Sequence, residues 1–187
     1  MKRTIDVFLC IVLASLALSA RGQVLPAATA DQPRVTAGAF GSVFQPDYAG
    51  NGIAQTSPNR LYGVGAYVDV KFRRWVQIEA EGRWLRFNQY YTGKPAVGNG
   101  EDNYLIGPKI PIRTWGRASP YGKFLVGIGS ANFLNGHSTT IAYGGGLDYR
   151  LSKHFVLRAF DFEYQSWFLT PTLYPYGGSV GIGYKVF

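Results

Sequence analysis

From Arg34 onward, apolar and polar side chains alternate with a period of two, and clusters of Gly, Pro, Asn and Ser interrupt the alternation at intervals. A period of two marks strands with two unlike faces, and turn-forming clusters mark their ends. The pattern predicts eight strands, near residues 34–44, 61–72, 76–84, 104–113, 120–131, 140–151, 156–165 and 176–186. No segment carries the 3.6-residue period of an amphipathic helix. The connections alternate in length. Residues 73–74, 115–119 and 152–153 form short turns, 45–60 and 85–103 form long polar loops, and 132–139 and 166–175 are intermediate. Short turns and both strand termini at one end, with longer loops at the other, describe an up-and-down barrel. Eight strands is also the size whose interior is just filled by side chains. Pro108 and Pro111 each remove a ladder donor, so a bulge or distortion is expected in the fourth strand.

The two faces decide which solvent surrounds the barrel. One face is apolar: Val64, Ala66, Val68 and Val70 on the second strand, Phe124, Val126 and Ile128 on the fifth, Phe160, Phe162 and Tyr164 on the seventh, Val180, Ile182 and Tyr184 on the last. Its single charge is Arg158, expected to snorkel to headgroups at the turn-end rim. The opposite face carries Arg34, Asp69, Lys71, Glu79, Glu81, Arg83, Lys109, Arg113, Lys123, Asp148, Arg150, Asp161, Glu163 and Lys185. Glycines crowd that same face, among them Gly63, Gly65, Gly127, Gly129, Gly144, Gly146, Gly181 and Gly183. On a water-facing surface, strand glycines weaken the backbone and pack nothing. Inside a narrow barrel they leave space for a long Arg, Lys or Glu from a neighbouring strand. Charges of both signs are tolerated together inside because a paired, hydrogen-bonded charge avoids the cost of a lone one. Apolar-out and polar-in is the lipid-facing order, so the expected fold is all-β, an eight-stranded antiparallel up-and-down transmembrane β-barrel. Tyr62, Phe72, Trp84, Tyr104, Trp115, Tyr121, Trp167 and Tyr176 lie near strand ends, where amphipathic rings suit the bilayer interface.

Composition changes the picture mainly at the N-terminus. Lys2 and Arg3 precede an apolar run over residues 7–20, followed by the small residues Ser19, Ala20 and Gly22. The run is short of the ~20 residues of a membrane-spanning helix. It has the layout of a secretory signal peptide, expected over residues 1–22 with cleavage after Ala20 or Gly22. Residues 23–33 are then a Pro- and Ala-rich periplasmic tail and residues 34–187 the barrel. The one cysteine, Cys10, lies inside the apolar run and leaves with the signal, so no disulfide is expected in an oxidising compartment. Removing Lys2, Arg3, Arg21 and Asp6, a net +2, leaves +6 of the formal +8. The 24 glycines in 187 residues exceed the usual ~7% without a collagen period.

Four stretches carry a resemblance: residues 105–112 (LIGPKIPI), 119–129 (SPYGKFLVGIG), 143–158 (YGGGLDYRLSKHFVLR) and 179–187 (SVGIGYKVF). On these the chain resembles the small outer-membrane β-barrel family, the group that includes the membrane domain of outer membrane protein A. The resemblance implies residence in the outer membrane of a Gram-negative bacterium and contact with its lipids. It also implies insertion by the barrel-assembly machinery, which in this family recognises the last strand and its terminal aromatic, here Phe187. Val180, Ile182 and Tyr184 alternate with Val186 rather than with Phe187, so the terminal ring departs from the family's phase. The peptidoglycan-binding domain of longer relatives is expected to be absent.

Candidate chemistry is sparse. His137 lies in the fifth-to-sixth-strand loop and His154 in a turn at the other end, and no pair of ligands has zinc spacing. A Ser–His–acid site would combine His137 with Ser130 or Ser138 and a neighbouring carboxylate, as a lipid-modifying barrel enzyme would need. Glu79, Glu81, Asp161 and Glu163 share their face with eight basic residues, which points to a salt-bridge network rather than catalytic carboxylates. The Gly-x-Gly pairs precede no helix and so form no phosphate cradle. A largely sequestered basic excess on an exported chain does not indicate nucleic acid. The expected function is therefore non-catalytic, without metal or cofactor: a barrel plugged by its own charges, serving envelope structure or surface interaction. Any extracellular ligand would meet the loops at 45–60 and 85–103, with Tyr90, Tyr91 and Lys94. A lipid-modifying acyl hydrolase or transferase, a small channel and a soluble periplasmic carrier are the alternatives.

Overall fold

The computed structural model describes residues 35–47, 60–73, 75–86, 100–131 and 136–186, together with the backbone of residues 90–91 and 94–95. Eight long strands are present: β1 (Val35–Gln45), β2 (Leu61–Arg73), β3 (Val76–Arg86), β4 (Gly100–Pro111), β5 (Ala118–Ala131), β6 (Ser138–Arg150), β7 (Phe155–Trp167) and β8 (Tyr176–Val186). Each pairs antiparallel with its chain neighbours, and β8 returns to β1, so the sheet closes. Closure leaves no strand edge in hydrocarbon, the condition for spanning a bilayer with strands. A strand of about 9–11 tilted residues crosses the hydrocarbon, and every strand here has at least 11. In the loop between β3 and β4, Tyr90 and Tyr91 pair antiparallel with Pro95 and Lys94.

The faces fall as the alternation predicts. Val64, Val68, Ile106, Ile128, Phe162, Val180 and Ile182 are exposed on the outside, while Glu79, Glu81, Lys123 and Asp161 are buried within. Short turns occupy one end. In the β4–β5 turn, Gly116 at φ 61° reverses the chain between Trp115 and Ala118. The two flanking residues exchange N–H···O bonds of 2.8 and 3.0 Å. In the β6–β7 turn, the Ser152 hydroxyl accepts the N–H groups of His154 and Phe155 at 3.2 and 3.0 Å.

The β4 expectation holds as a distortion of the pairing at Pro108, without a bulge. The β4–β5 register is the same before and after residues 107–108, from Ile106 opposite Val126 to Lys109 opposite Lys123, and pairing lapses only between. Pro108 stays paired in register with Ile78 on its other side. The shifts lie elsewhere, at Lys71–Arg73 between β2 and β3, and in β7. There Leu147 faces Phe160 while Asp148 faces Arg158, and Ser179 faces Asp161 while Gly181 faces Arg158. One extra residue in β7 reverses its phase, so Arg158 turns inward and is fully buried. It does not snorkel to the rim. A further correction concerns the inward glycines, whose missing side chains make room for rings at some positions and for the next strand's backbone at others. A Cβ would strike the Trp84 carbonyl oxygen at Gly63, that of Tyr104 at Gly127 and that of Phe162 at Gly144. A Cβ at Gly65 would strike the Phe40 ring, one at Gly177 the Phe44 ring, and one at Gly129 would lie 2.6 Å from Trp167.

Tyr121 and Trp167 are among those interior rings, not in the interfacial belt; both are buried. The loop-end interior is largely apolar, with Phe44, Leu61 and Leu85 in one cluster and Ala131, Trp167 and Leu173 in another. On the outside, Tyr143, Tyr164 and Tyr176 stand opposite one another across three strands. Their neighbouring centroids lie 5.3 and 6.5 Å apart. On β3 and β4, Trp84 Nε1 donates to the Tyr104 hydroxyl at 3.0 Å. Such rings are at home at the headgroup level.

Candidate functional site

Inward polar side chains of β2 to β7 build one continuous ionic lattice inside the barrel. Lys123, on β5, reaches four carboxylates from the facing strands. Its Nζ lies 3.3 Å from Glu79, 3.1 Å from Glu81, 2.8 Å from Asp161 and 2.9 Å from Glu163. Lys109, on β4, contacts Asp69 at 2.9 Å, Glu79 at 3.3 Å and Asp148 at 2.8 Å. Arg158 meets Glu79 at 2.6 Å, Asp69 at 3.4 Å and Asp161 at 3.5 Å. Arg83 closes the lattice toward the loops, contacting Glu163 at 2.7 Å and Glu81 at 3.1 Å. Every one of these four cations has two or more carboxylates, as a charge removed from water requires.

Aromatic faces cover what the carboxylates leave. The Arg158 guanidinium lies 3.7 Å from the Tyr67 ring centroid, Lys109 Nζ lies 4.0 Å from that of Tyr121, and Arg83 lies 4.4 Å from that of Phe44. A cation over a ring face is attracted by its quadrupole, most strongly where water is excluded. Above the lattice, Gln165 Nε2 donates to Glu163 at 2.5 Å, and Trp167 Nε1 donates to Gln165 Oε1 at 2.7 Å. The lumen thus changes toward the loops from the lattice to amides and then to apolar clusters, at whose level Glu101 is also buried, opposite Leu85 and Ala131.

Glu79, Glu81 and Asp161 each place an oxygen within 4.8 Å of the others, a spacing that could hold a metal ion. The Lys123 ammonium contacts all three and stands where such an ion would bind. The chemistry available to this cluster is mutual neutralisation.

The sequence-predicted charges separate into three groups. Asp69, Glu79, Glu81, Arg83, Lys109, Lys123, Asp148, Asp161 and Glu163 come together in the lattice. Lys71 and Lys185 are half-buried at the turn end. Arg113 and Arg150 are exposed, a correction with a simple cause: the alternation was extended past the point where the wall encloses anything. Arg113 lies beyond the last residue of β4, and Arg150, the last residue of β6, donates to the Gly116 carbonyl at 3.5 Å. Arg34, Phe187 and residues 1–33 lie outside the described residues, as do the side chains of Tyr90, Tyr91 and Lys94. Arg158 is the interior residue that the alternation misplaced. A signal was available, because the charges at 158, 161 and 163 are spaced by three and then two, which strict alternation does not allow.

His137 is exposed, and Ser138 Oγ donates to the Thr139 carbonyl at 3.1 Å. Among the described residues, no hydrogen bond joins His137 to a serine or a carboxylate. His154 stacks on Tyr184 at the turn end, with centroids 5.6 Å apart.

Comparison with known proteins follows the same geometry. A family model described as outer membrane protein beta-barrel domain matches residues 10–185. Ail, the attachment invasion locus protein of Yersinia pestis, superposes with a TM-score of 0.52 at 18% identity, over 81% of this chain and 95% of Ail. Neisserial surface protein A superposes with a TM-score of 0.55 at 11% identity, over 81% of this chain and 97% of that protein. The outer membrane protein AlkL gives 0.53 at 15% identity, over 87% of this chain and 95% of AlkL. At these identities the likeness establishes the fold alone. Comparison with curated proteins finds no match to the sequence.

Proposed function

The chain belongs to the outer membrane protein β-barrel domain family and resides in the bacterial outer membrane, and from that premise we propose that it is a non-catalytic integral barrel. Its interior is closed by its own charges, and it serves envelope structure or surface interaction through the loop end. Residues 1–22 direct export, and the barrel-assembly machinery inserts the chain through β8 and Phe187. One observation carries the reading: Lys123 bridges four carboxylates from two facing strands across the middle of the lumen. A path for solutes would have to break those contacts, and an unpartnered buried charge is strongly unfavourable. The rigid wall leaves the loops as the variable part, which is where recognition on such scaffolds resides. A structural neighbour, Ail, is named for attachment and invasion, which agrees with a loop-borne role.

The test is planar-bilayer recording on the refolded chain. The expected record shows no discrete conductance steps, and steps that persist in pure preparations would replace this reading with a channel. Outer membranes with and without the chain should contain the same acylated lipids. A product that disappears with His137→Ala would identify a lipid-modifying enzyme instead.

A further inference from the structure

The cations excluded from the lattice gather at one end. Arg73 ends β2, Arg113 and Arg117 lie in the β4–β5 turn, and Arg150 and Lys153 flank the β6–β7 turn, and all five are exposed. Among the described residues, no exposed carboxylate shares that end. Asp69, Glu79, Glu81, Asp161 and Glu163 are buried in the lattice. Asp148, the acid nearest this rim, accepts from Lys109 at 2.8 Å. Asp47 and Asp102 belong to the loop end, where Asp102 pairs with Arg86 and Asp47 accepts the Tyr174 N–H at 3.1 Å.

Apolar side chains alternate with these cations. Phe72, Trp75, Ile112 and Trp115 are between 61% and 72% exposed, beside Arg73 on one turn and Arg113 and Arg117 on the next. An exposed Trp beside an Arg satisfies a boundary where hydrocarbon ends and phosphate begins: the indole suits the headgroup level, and the guanidinium can bind a phosphate through two donors. A carboxylate-bearing wall polymer would match the charge but leave these rings in water. We infer that the turn end is a collar that binds the headgroups of anionic phospholipids in the periplasmic leaflet, with the exposed arginines and Lys153 on phosphate and Trp75 and Trp115 seated at the headgroup level beside them. The collar goes beyond the loop-borne role, and it does not depend on the lumen being closed.

The test uses the full chain refolded into vesicles of equimolar phosphatidylcholine and phosphatidylglycerol, with boundary lipid read by spin-labelled analogues of each. Phosphatidylglycerol should be enriched about threefold at the protein, and enrichment should fall to parity in ~1 M salt, where screening shortens the reach of charge to about 3 Å. The variant R73Q/R113Q/R117Q/R150Q/K153Q should lose the enrichment while keeping the heat-dependent gel migration of a folded barrel. Equal association of both lipids with the wild type overturns the collar, as does enrichment that survives either the variant or high salt. If the variant fails to fold, the salt series on the wild type decides alone. Sedimentation with purified peptidoglycan, without lipid selectivity, would assign the rim to the wall polymer instead.

Discussion

Lysine and arginine occupy two unlike places in this barrel. Lys123, Lys109, Arg83 and Arg158 lie in the lumen with two or more carboxylates apiece, whereas Arg73, Arg113, Arg117 and Lys153 stand in solvent at the turns. The residue types are the same and their energetic weight is not. A buried cation is held by partners that would themselves become costly without it, and an exposed one is free to be exchanged. What a charge does for this fold therefore depends on depth in the wall, not on which strand bears it.

The exchange Arg158→Phe/Phe160→Arg should have the largest effect on that distinction, because Arg158 is buried in the lattice and Phe160 is exposed on the outer wall. It moves the cation from the lattice to the lipid, which costs about 2–4 kcal/mol near the bilayer midplane. The lost ion pairs add to that. Failure to recover the heat-shifted gel band after refolding is the expected outcome, and normal refolding would mean that β7 changes phase to return the cation to the lumen. Lys123→Met should follow, at roughly 3–5 kcal/mol in urea titrations of the reconstituted barrel, because it leaves four carboxylates facing one another. A cost no greater than that of a rim substitution would dissolve the comparison. Arg86→Ala removes a pair with Asp102 whose side chains are 55% and 32% exposed, and its cost should not exceed about 1 kcal/mol. The double variant Arg113→Gln/Arg150→Gln should change stability by no more than about 0.5 kcal/mol. A larger loss by the same titration would place one of the two guanidinia in the lattice.

How far the sequence could be read follows the same divide. The direction of the faces was legible because Val68, Ile128, Phe162 and Ile182 alternate with Asp69, Lys123, Asp161 and Glu163 over whole strands, and lipid permits no other arrangement. Where a strand stops enclosing a lumen is not encoded in alternation, so Arg113 and Arg150 read like lattice members. Tyr121 and Trp167 lie near strand ends, yet each shares its phase with an interior polar residue, Lys123 and Gln165. Phase was the better guide, since a ring next to a cation is as well placed inside as at the headgroups. The β7 bulge was legible only as a break in charge spacing.

The seam between β1 and β8 has a consequence for assembly. It joins positions at opposite ends of the barrel sequence, from Val35 opposite Val186 to Gln45 opposite Tyr176, and no register shift interrupts it. Contacts so distant in sequence form late, and sliding them by one step would turn Lys185 toward hydrocarbon and Ile182 toward the ions. A chain one step out of register upstream would therefore meet this seam with the faces of its last strand reversed.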